Sequence, residues 1–198
     1  MKAIPISVAV LLKAYSHGIF PMADQHGEIN WYCPGLRAII PLENYKASKS
    51  LRSTLKKQTF EIRINQQFTH VMRACAAPRD FGYGVWISEE MIAVYSELNR
   101  LGYAHSVESY QNDVLVGGLY GVCLGGVFFG ESMYSDVSNS SKVAFHYLIE
   151  ILRKNNFELL DTQIINDNVL RYGAIEIKRA EFLKLLAKGL TKTCQFTW

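Results

Sequence analysis

The strongest constraint on the fold is the order of segments over residues 104–163. Three short segments rich in Val, Tyr and Phe are joined by the turn sequences QND and LGG, which is typical of consecutive antiparallel strands. The apolar residues of SKVAFHYLIEILRKN then recur at helical spacing, and FELLDTQII reads as another strand. Because a strand–helix–strand order usually joins parallel strands, the sequence predicts a mixed α/β fold (α+β) around one mixed sheet.

The first 45 residues predict one helix followed by turns instead of a series of strands. MKAIPISVAVLLKAY predicts an amphipathic helix that Ser7 can cap and Gly18 can end. A secretory signal peptide is the alternative interpretation, since Lys2 precedes an apolar run. A turn-rich segment follows the helix. We expect residues 1–45 to form a small N-terminal domain that docks on a main domain of residues 46–198.

The net charge of +3 is too small to indicate a polyanionic partner by itself, so the distribution of basic residues matters. Residues 45–57 predict a helix with Leu51 and Leu55 facing inward. Four of its basic residues cluster away from these leucines: Lys49, Arg52, Lys56 and Lys57. Such a cluster can contact nucleic-acid phosphates, and the alternative is a solvated helix face.

The cysteines also limit the classes of protein. Four cysteines lie far apart without a C-x-x-C pair, which argues against a zinc site or a disulfide framework. We therefore expect reduced thiols in a cytoplasmic protein. No stretch after the first helix approaches transmembrane length, so no membrane contact is expected.

Polar groups emerge from apolar surface at two places in the predicted strands. Glu131 follows the apolar run 127–129, where a carboxylate needs a positive or hydrogen-bonding partner. Asp161 and Gln163 project to one face of a strand at i, i+2. The three residues could form an acidic, hydrogen-bonding pocket. The alternative for Asp161 and Gln163 is a strand end that reaches solvent.

Other candidate motifs are weaker. The glycines of GGLYGVCLGG fit neither nucleotide-binding loop pattern, so strand and turn glycines are the better account. His105, Ser106 and Asp161 lack the G-x-S-x-G elbow of a hydrolase, which makes a structural histidine the better interpretation. Trp31 and Trp86 can be core residues or can stack on bases.

The chain resembles the leucyl/phenylalanyl-tRNA–protein transferases over nearly its whole length. The segments that carry the resemblance are AYSHGIFPM, WYCPGLRAIIP, KSLRSTLKK, VWISEEMIAVYSELNRLGYAHSVESY, LVGGLYGV, FFGESMYS, SSKVAFHYLIEIL, LLDTQ and YGAIEIKRAEF. The resemblance implies a bacterial cytoplasmic enzyme that moves Leu or Phe, and less readily Met, from tRNA to an N-terminal Lys or Arg. It also implies tagging for N-end-rule degradation, an N-acyltransferase (GNAT)-like main domain, a monomer, and neither cofactor nor metal.

The resemblance further implies roles for individual residues. Asp161 and Gln163 would be catalytic, with Asp161 polarising Gln163 and the amide oxygen of Gln163 orienting the attacking amine. Glu131 and Asp161 would bind the acceptor. The aminoacyl-adenosine end would be held by Trp31, Trp86 and Met133. Two rival functions are an acetyl-CoA-dependent N-acetyltransferase and a non-catalytic RNA-binding module, although the glycine cluster expected of the former is lacking.

Overall fold

The computed structural model describes residues 6–24, 26–77 and 87–198. The helices are α1 (Val8–Ser16), α2 (Lys49–Lys56), α3 (Phe68–Ala76), α4 (Glu89–Arg100), α5 (Ser140–Lys154), α6 (Asp167–Leu170) and α7 (Arg179–Leu190). The strands are β1 (Phe20–Ala23), β2 (Ile29–Tyr32), β3 (Leu36–Ile40), β4 (Glu61–Ile64), β5 (Ala104–Gln111), β6 (Val114–Leu124), β7 (Val127–Ser135), β8 (Leu159–Gln163) and β9 (Ile175–Lys178). No described helix is long and apolar enough to cross a membrane.

One seven-stranded sheet organises the chain, in the order β4-β5-β6-β7-β8-β3-β9. Strands β5, β6 and β7 form the predicted antiparallel meander. Strands β7 and β8 are parallel and are connected through α5. The mixed α/β class and the crossover predicted from the sequence are therefore confirmed. Strands β1 and β2 form a separate two-stranded sheet.

Two apolar cores lie on opposite faces of the large sheet. The first core packs side chains of α1, α3, α4 and α7 against one face. The second core packs α5 and the C-terminal Phe196 against the other face. Side chains that alternate along a strand therefore enter different cores.

The N-terminal segment differs from its prediction. Helix α1 is present, with the side chain of Ser7 accepting a hydrogen bond from the backbone N–H of Val10 and Gly18 at a φ of +74°. The turn-rich segment, however, contains β1, β2 and β3, and β3 lies inside the large sheet between β8 and β9. These strands of four or five residues are too short for a clear alternating pattern. The domain division after residue 45 stays a prediction.

Helix α2 is shorter than predicted because it begins at Lys49, after the Ser48 cap. Tyr45 is instead buried in the second core. Leu51 is buried as expected, and the four basic residues of the predicted cluster are exposed: Lys49, Arg52, Lys56 and Lys57. We call these four residues the basic cluster.

The glycines of β6 serve packing. A Cβ at Gly117 would occupy the space of the Ser140 side chain at the start of α5. Gly125 and Gly126 lie in the turn between β6 and β7. The preference for strand and turn glycines over a nucleotide loop is confirmed.

Candidate active site

A β-bulge presents Glu131. Tyr120 of β6 pairs with Ser132 of β7, and the next pair is Gly121 with Gly130, so Glu131 has no partner across the ladder. A bulge residue re-aims its side chain and reverses the alternation beyond it. Glu131 points towards the first core, on the same face as Phe129 two residues earlier, and meets Tyr15 of α1.

Only one oxygen of the Glu131 carboxylate has hydrogen-bond partners among the described residues. Its Oε1 accepts hydrogen bonds from the Tyr15 hydroxyl at 2.7 Å and from Gln163 Nε2 at 2.8 Å. Because the Tyr15 hydroxyl donates its hydrogen bond to Glu131, it acts as the acceptor in its contact with the Tyr95 hydroxyl, which lies 2.5 Å away. Glu131 Oε2 is buried without a hydrogen-bond partner among the described residues, and so is the Tyr120 hydroxyl. The side chain thus keeps an acceptor atom for an incoming donor.

The surroundings disfavour a charge on Glu131. Burial is the largest cause that raises the pKa of Glu131 from 4.5 to about 8, and the charge of Asp161 raises it further. The hydrogen bonds from Tyr15 and Gln163, together with the charge of Arg37, lower the pKa but do not cancel the effect of burial. A cationic ligand next to Glu131 would restore the ionised form.

The raised pKa predicts how stability depends on pH. The folded protein holds a proton on Glu131 that the unfolded chain releases, so this contribution to stability is complete below about pH 4.5 and is lost as the pH rises through about 8. Glu131→Gln cannot ionise. We expect the free energy of unfolding of the wild type, minus that of Glu131→Gln, to fall between about pH 5 and about pH 8. Urea denaturation of both proteins measures this difference, and a constant difference would contradict the prediction.

Asp161 is held by Arg37. Arg37 Nε lies 2.9 Å from Asp161 Oδ1 and Arg37 Nη2 lies 2.7 Å from Oδ2, and the two residues are 1% and 0% exposed. The guanidinium carbon also lies 4.6 Å from the ring centroids of both Phe20 and Phe182. Arg37 Nη1 donates to the Gly18 carbonyl at 3.0 Å. Both ends of this buried ion pair are therefore fixed.

Gln163 lies where two strands separate. The β7–β8 ladder ends at the pair Phe129 and Asp161. A bulge in the β3–β8 register leaves Thr162 of β8 without a paired residue on β3. Gln163 has a φ of +66°, and its backbone N–H donates to Asp161 Oδ1 at 2.9 Å. Its side chain then crosses to Glu131. The structure brings Glu131, Asp161 and Gln163 together as predicted.

The contact between Asp161 and Gln163 differs from the expected one. Asp161 binds the backbone N–H of Gln163 rather than the side-chain amide. Because the Asp161 carboxylate is fully buried and paired with Arg37, it offers no face to a substrate. The expected direct contact of Asp161 with an acceptor therefore has no geometric support, whereas Glu131 Oε2, although also buried, has no hydrogen-bond partner among the described residues.

Sequence reasoning missed Arg37, Tyr15 and Tyr95. Arg37 interrupts the apolar strand LRAII, and a charge inside such a run signals that a partner is needed. Its partner is 124 positions away, however, and no local pattern identifies it. Tyr15 and Tyr95 lie on the apolar faces of α1 and α4 and look like ordinary core residues.

The remaining predicted residues are spread over the molecule. Trp31 is half-buried on β2 and packs against the first core. Met133 packs against the second core, on the other face of the sheet from Glu131, since the bulge reverses the alternation between them. Trp86 lies outside the described residues. The roles of all three stay predictions.

The disfavoured hydrolase triad is not assembled. His105 stacks on Phe196 with ring centroids 4.5 Å apart, and burial lowers its pKa to about 4. The Ser106 hydroxyl donates to Glu108 at 2.7 Å, while Asp161 pairs with Arg37. His105 is therefore structural, as expected. Within the described residues, no group of three His, Cys, Asp or Glu side chains is placed to hold a metal ion.

The comparisons with family models and with known proteins indicate the same family. A family model described as Leucyl/phenylalanyl-tRNA protein transferase matches residues 39–187, and the model of that family's N-terminal domain matches residues 5–35. The leucyl/phenylalanyl-tRNA–protein transferase of Chlorobaculum tepidum is 47% identical over 192 residues, covering 96% of this chain and 99% of that protein. The one from Herpetosiphon aurantiacus is 48% identical over 192 residues, covering 96% and 98%.

The solved structures that align with this chain have low TM-scores and low sequence identity to it. A functionally unknown conserved protein from Staphylococcus epidermidis aligns with a TM-score of 0.44 and 14% identity, over 87% of this chain and 65% of that one. L-PGS from Bacillus licheniformis aligns with a TM-score of 0.44 and 11% identity, over 80% and 51%. This chain thus spans less than two thirds of either structure.

Proposed function

The chain belongs to the leucyl/phenylalanyl-tRNA–protein transferase family, and from that premise we infer that it is an aminoacyltransferase that moves an aminoacyl group from tRNA to the N-terminus of a protein. We propose further that the group is Leu or Phe, and less readily Met, and that the acceptor begins with Lys or Arg. Transfer would tag the acceptor for N-end-rule degradation. The proposed setting is a monomer in the cytoplasm, with no membrane and no cofactor.

The observation that carries the proposal is the buried, unpartnered Oε2 of Glu131. The N-terminal Lys or Arg of an acceptor brings several N–H donors and a positive charge. A charge-assisted hydrogen bond from such a residue would satisfy Oε2 and return Glu131 to its ionised form. Tyr15 and Gln163 hold the other oxygen, so the carboxylate is already oriented before the acceptor arrives.

The proposed reaction needs few catalytic groups from the protein. The aminoacyl ester of a charged tRNA is already activated, so the reaction needs positioning rather than a protein nucleophile. The acceptor amine attacks the ester carbon, an amide bond forms, the ester C–O bond breaks, and the ribose oxygen leaves with the proton lost by the amine. Because Nε2 of Gln163 is bound to Glu131, its Oε1 remains to accept a hydrogen bond from the amine. Asp161, held by Arg37, fixes the backbone of Gln163.

Further parts of the proposal concern tRNA and fold. The exposed basic cluster of α2 would contact tRNA phosphates, and Trp31, Trp86 and Met133 would serve the aminoacyl-adenosine end. The large sheet would be GNAT-like, a proposal supported by its antiparallel meander followed by a parallel crossover pair. We also keep the proposal of a small N-terminal domain.

A transfer assay tests the proposed function. We expect radiolabelled Leu or Phe to pass from its tRNA to peptides that start with Arg or Lys, and not to a matched peptide that starts with Ala. Acetyl-CoA in place of aminoacyl-tRNA should give no product. Transfer of acetyl groups, or binding of tRNA without any transfer, would replace the proposal by the corresponding rival function.

A further inference from the structure

The Tyr120 hydroxyl is buried beside the candidate active site and has no hydrogen-bond partner among the described residues. Tyr120 belongs to β6 and pairs with Ser132 of β7, the residue that follows Glu131. Its side chain belongs to the first core, which Glu131 also faces. Two buried oxygens without described partners, Glu131 Oε2 and the Tyr120 hydroxyl, therefore lie on the same face of two neighbouring strands.

The ring of Tyr120 is held by aromatic contacts. It makes edge-to-face contacts with Phe68 and Tyr95, whose ring centroids lie 5.8 Å and 6.1 Å from its own. The Tyr95 hydroxyl lies 2.5 Å from that of Tyr15, which donates to Glu131. Tyr120 thus packs against the tyrosine pair that holds the Glu131 carboxylate.

The two oxygens also interact electrostatically. Burial raises the pKa of Tyr120 well above its usual value, and the charge of Glu131 raises it further. The hydroxyl therefore stays neutral, so its oxygen can accept a hydrogen bond. Because the effect of a charge decreases with distance, its action on Tyr120 indicates that the carboxylate is close.

A basic acceptor residue brings more donors than Glu131 can satisfy. A lysine ammonium or an arginine guanidinium carries several N–H donors. Glu131 has one oxygen left for them, since Tyr15 and Gln163 bind the other. A donor that stays unpaired in a buried site opposes binding, so a second acceptor oxygen is needed beside Glu131 Oε2.

We propose that the Tyr120 hydroxyl is this second acceptor and helps to determine acceptor specificity. Its oxygen accepts a hydrogen bond from the side chain of the N-terminal Lys or Arg, while another donor of that side chain binds Glu131 Oε2. The inference rests on the proposed function, because it takes the acceptor to begin with a basic residue. One cation then satisfies both oxygens, and neither oxygen gives up a described partner when the acceptor binds.

Replacing Tyr120 by Phe removes the hydroxyl and keeps the ring contacts with Phe68 and Tyr95. We expect Tyr120→Phe to lower kcat/KM for Arg- and Lys-starting peptides by about 10- to 100-fold, the range for one hydrogen bond to a charged group. The KM for aminoacyl-tRNA should be unchanged. Because the hydroxyl has no described partner to lose, urea denaturation should give a free energy of unfolding no lower than that of the wild type.

Tyr134→Phe is the matched control. The Tyr134 hydroxyl is also buried in the first core without a described partner. Tyr134 lies two residues past Ser132 on β7, and burial followed by the charge of Asp136 raises its pKa. Tyr134→Phe should therefore leave peptide kinetics equal to those of the wild type.

A double variant tests whether Tyr120 and Glu131 bind the same cation. Tyr120→Phe combined with Glu131→Gln should lower kcat/KM by less than the product of the two single effects, because groups that share a ligand are not independent. Effects that multiply would show that the two residues act separately.

Several results would overturn the inference: unchanged peptide kinetics for Tyr120→Phe, an equal loss with Tyr134→Phe, or a kinetic loss matched by a fall in the free energy of unfolding. If the wild type transfers Leu or Phe to Arg-starting peptides and Tyr120→Phe does so equally well, only this inference fails. If the wild type transfers nothing, the proposed function fails.

Discussion

Replacing Arg37 by Met is expected to lower the free energy of unfolding by about 3–5 kcal/mol, since it leaves Asp161 as a buried charge without its partner. Asp161 is 0% exposed and receives both of its charged hydrogen bonds from Arg37. The side chain of Met fills much of the same space between Phe20 and Phe182, so loss of packing is a minor part of the effect. Urea denaturation at neutral pH measures the change.

A double variant separates stability from positioning. Arg37→Met combined with Asp161→Leu removes both charges, and such replacements of buried ion pairs are often neutral or stabilising. We expect the double variant to regain most of the lost stability. It should nevertheless remain inactive in single-turnover transfer, because the N–H of Gln163 has lost its acceptor on Asp161. A double variant that regains both stability and transfer would show that the ion pair serves the fold alone.

Glu131→Gln is expected to lower kcat/KM for peptides starting with Arg or Lys by about 10- to 100-fold while leaving tRNA affinity nearly unchanged. The oxygen of the new amide can still accept from Tyr15 and Gln163, which places its NH2 group where Oε2 was. A charge-assisted hydrogen bond of about 1.5–3 kcal/mol is then lost, and each 1.4 kcal/mol or so is a factor of ten. Peptide kinetics at saturating aminoacyl-tRNA measure the effect.

Glu108→Gln is the matched control for this prediction. Glu108 is also buried, but its two oxygens accept hydrogen bonds from Gln67, Ser106 and Tyr110. We expect Glu108→Gln to lower the melting temperature and to leave peptide kinetics unchanged in the folded protein. If Glu131→Gln behaves in the same way, Glu131 is a structural carboxylate and does not bind the acceptor.

Much of the fold follows from local patterns. The meander β5–β7, helix α5 and the parallel strand β8 were predictable because alternation and helical spacing extend over long, well-bounded segments. Ser7 marked the start of α1 because its side chain accepts a hydrogen bond from a backbone N–H of the first turn. The chemistry of Glu131 could also be anticipated, since a carboxylate after an apolar strand requires a partner.

The sequence by itself determined the meander β5–β7, helix α5 and strand β8, and that Glu131, Asp161 and Gln163 are candidates for one site. Only the tertiary structure decided their partners. Arg37 reaches Asp161 across 124 positions, and Tyr15 reaches Glu131 across 116. Periodicity reports that a side chain faces inward but not what it meets there. The bulge at Glu131, which places Met133 on the other face of the sheet, depends on register with β6, and register is a property of two strands together.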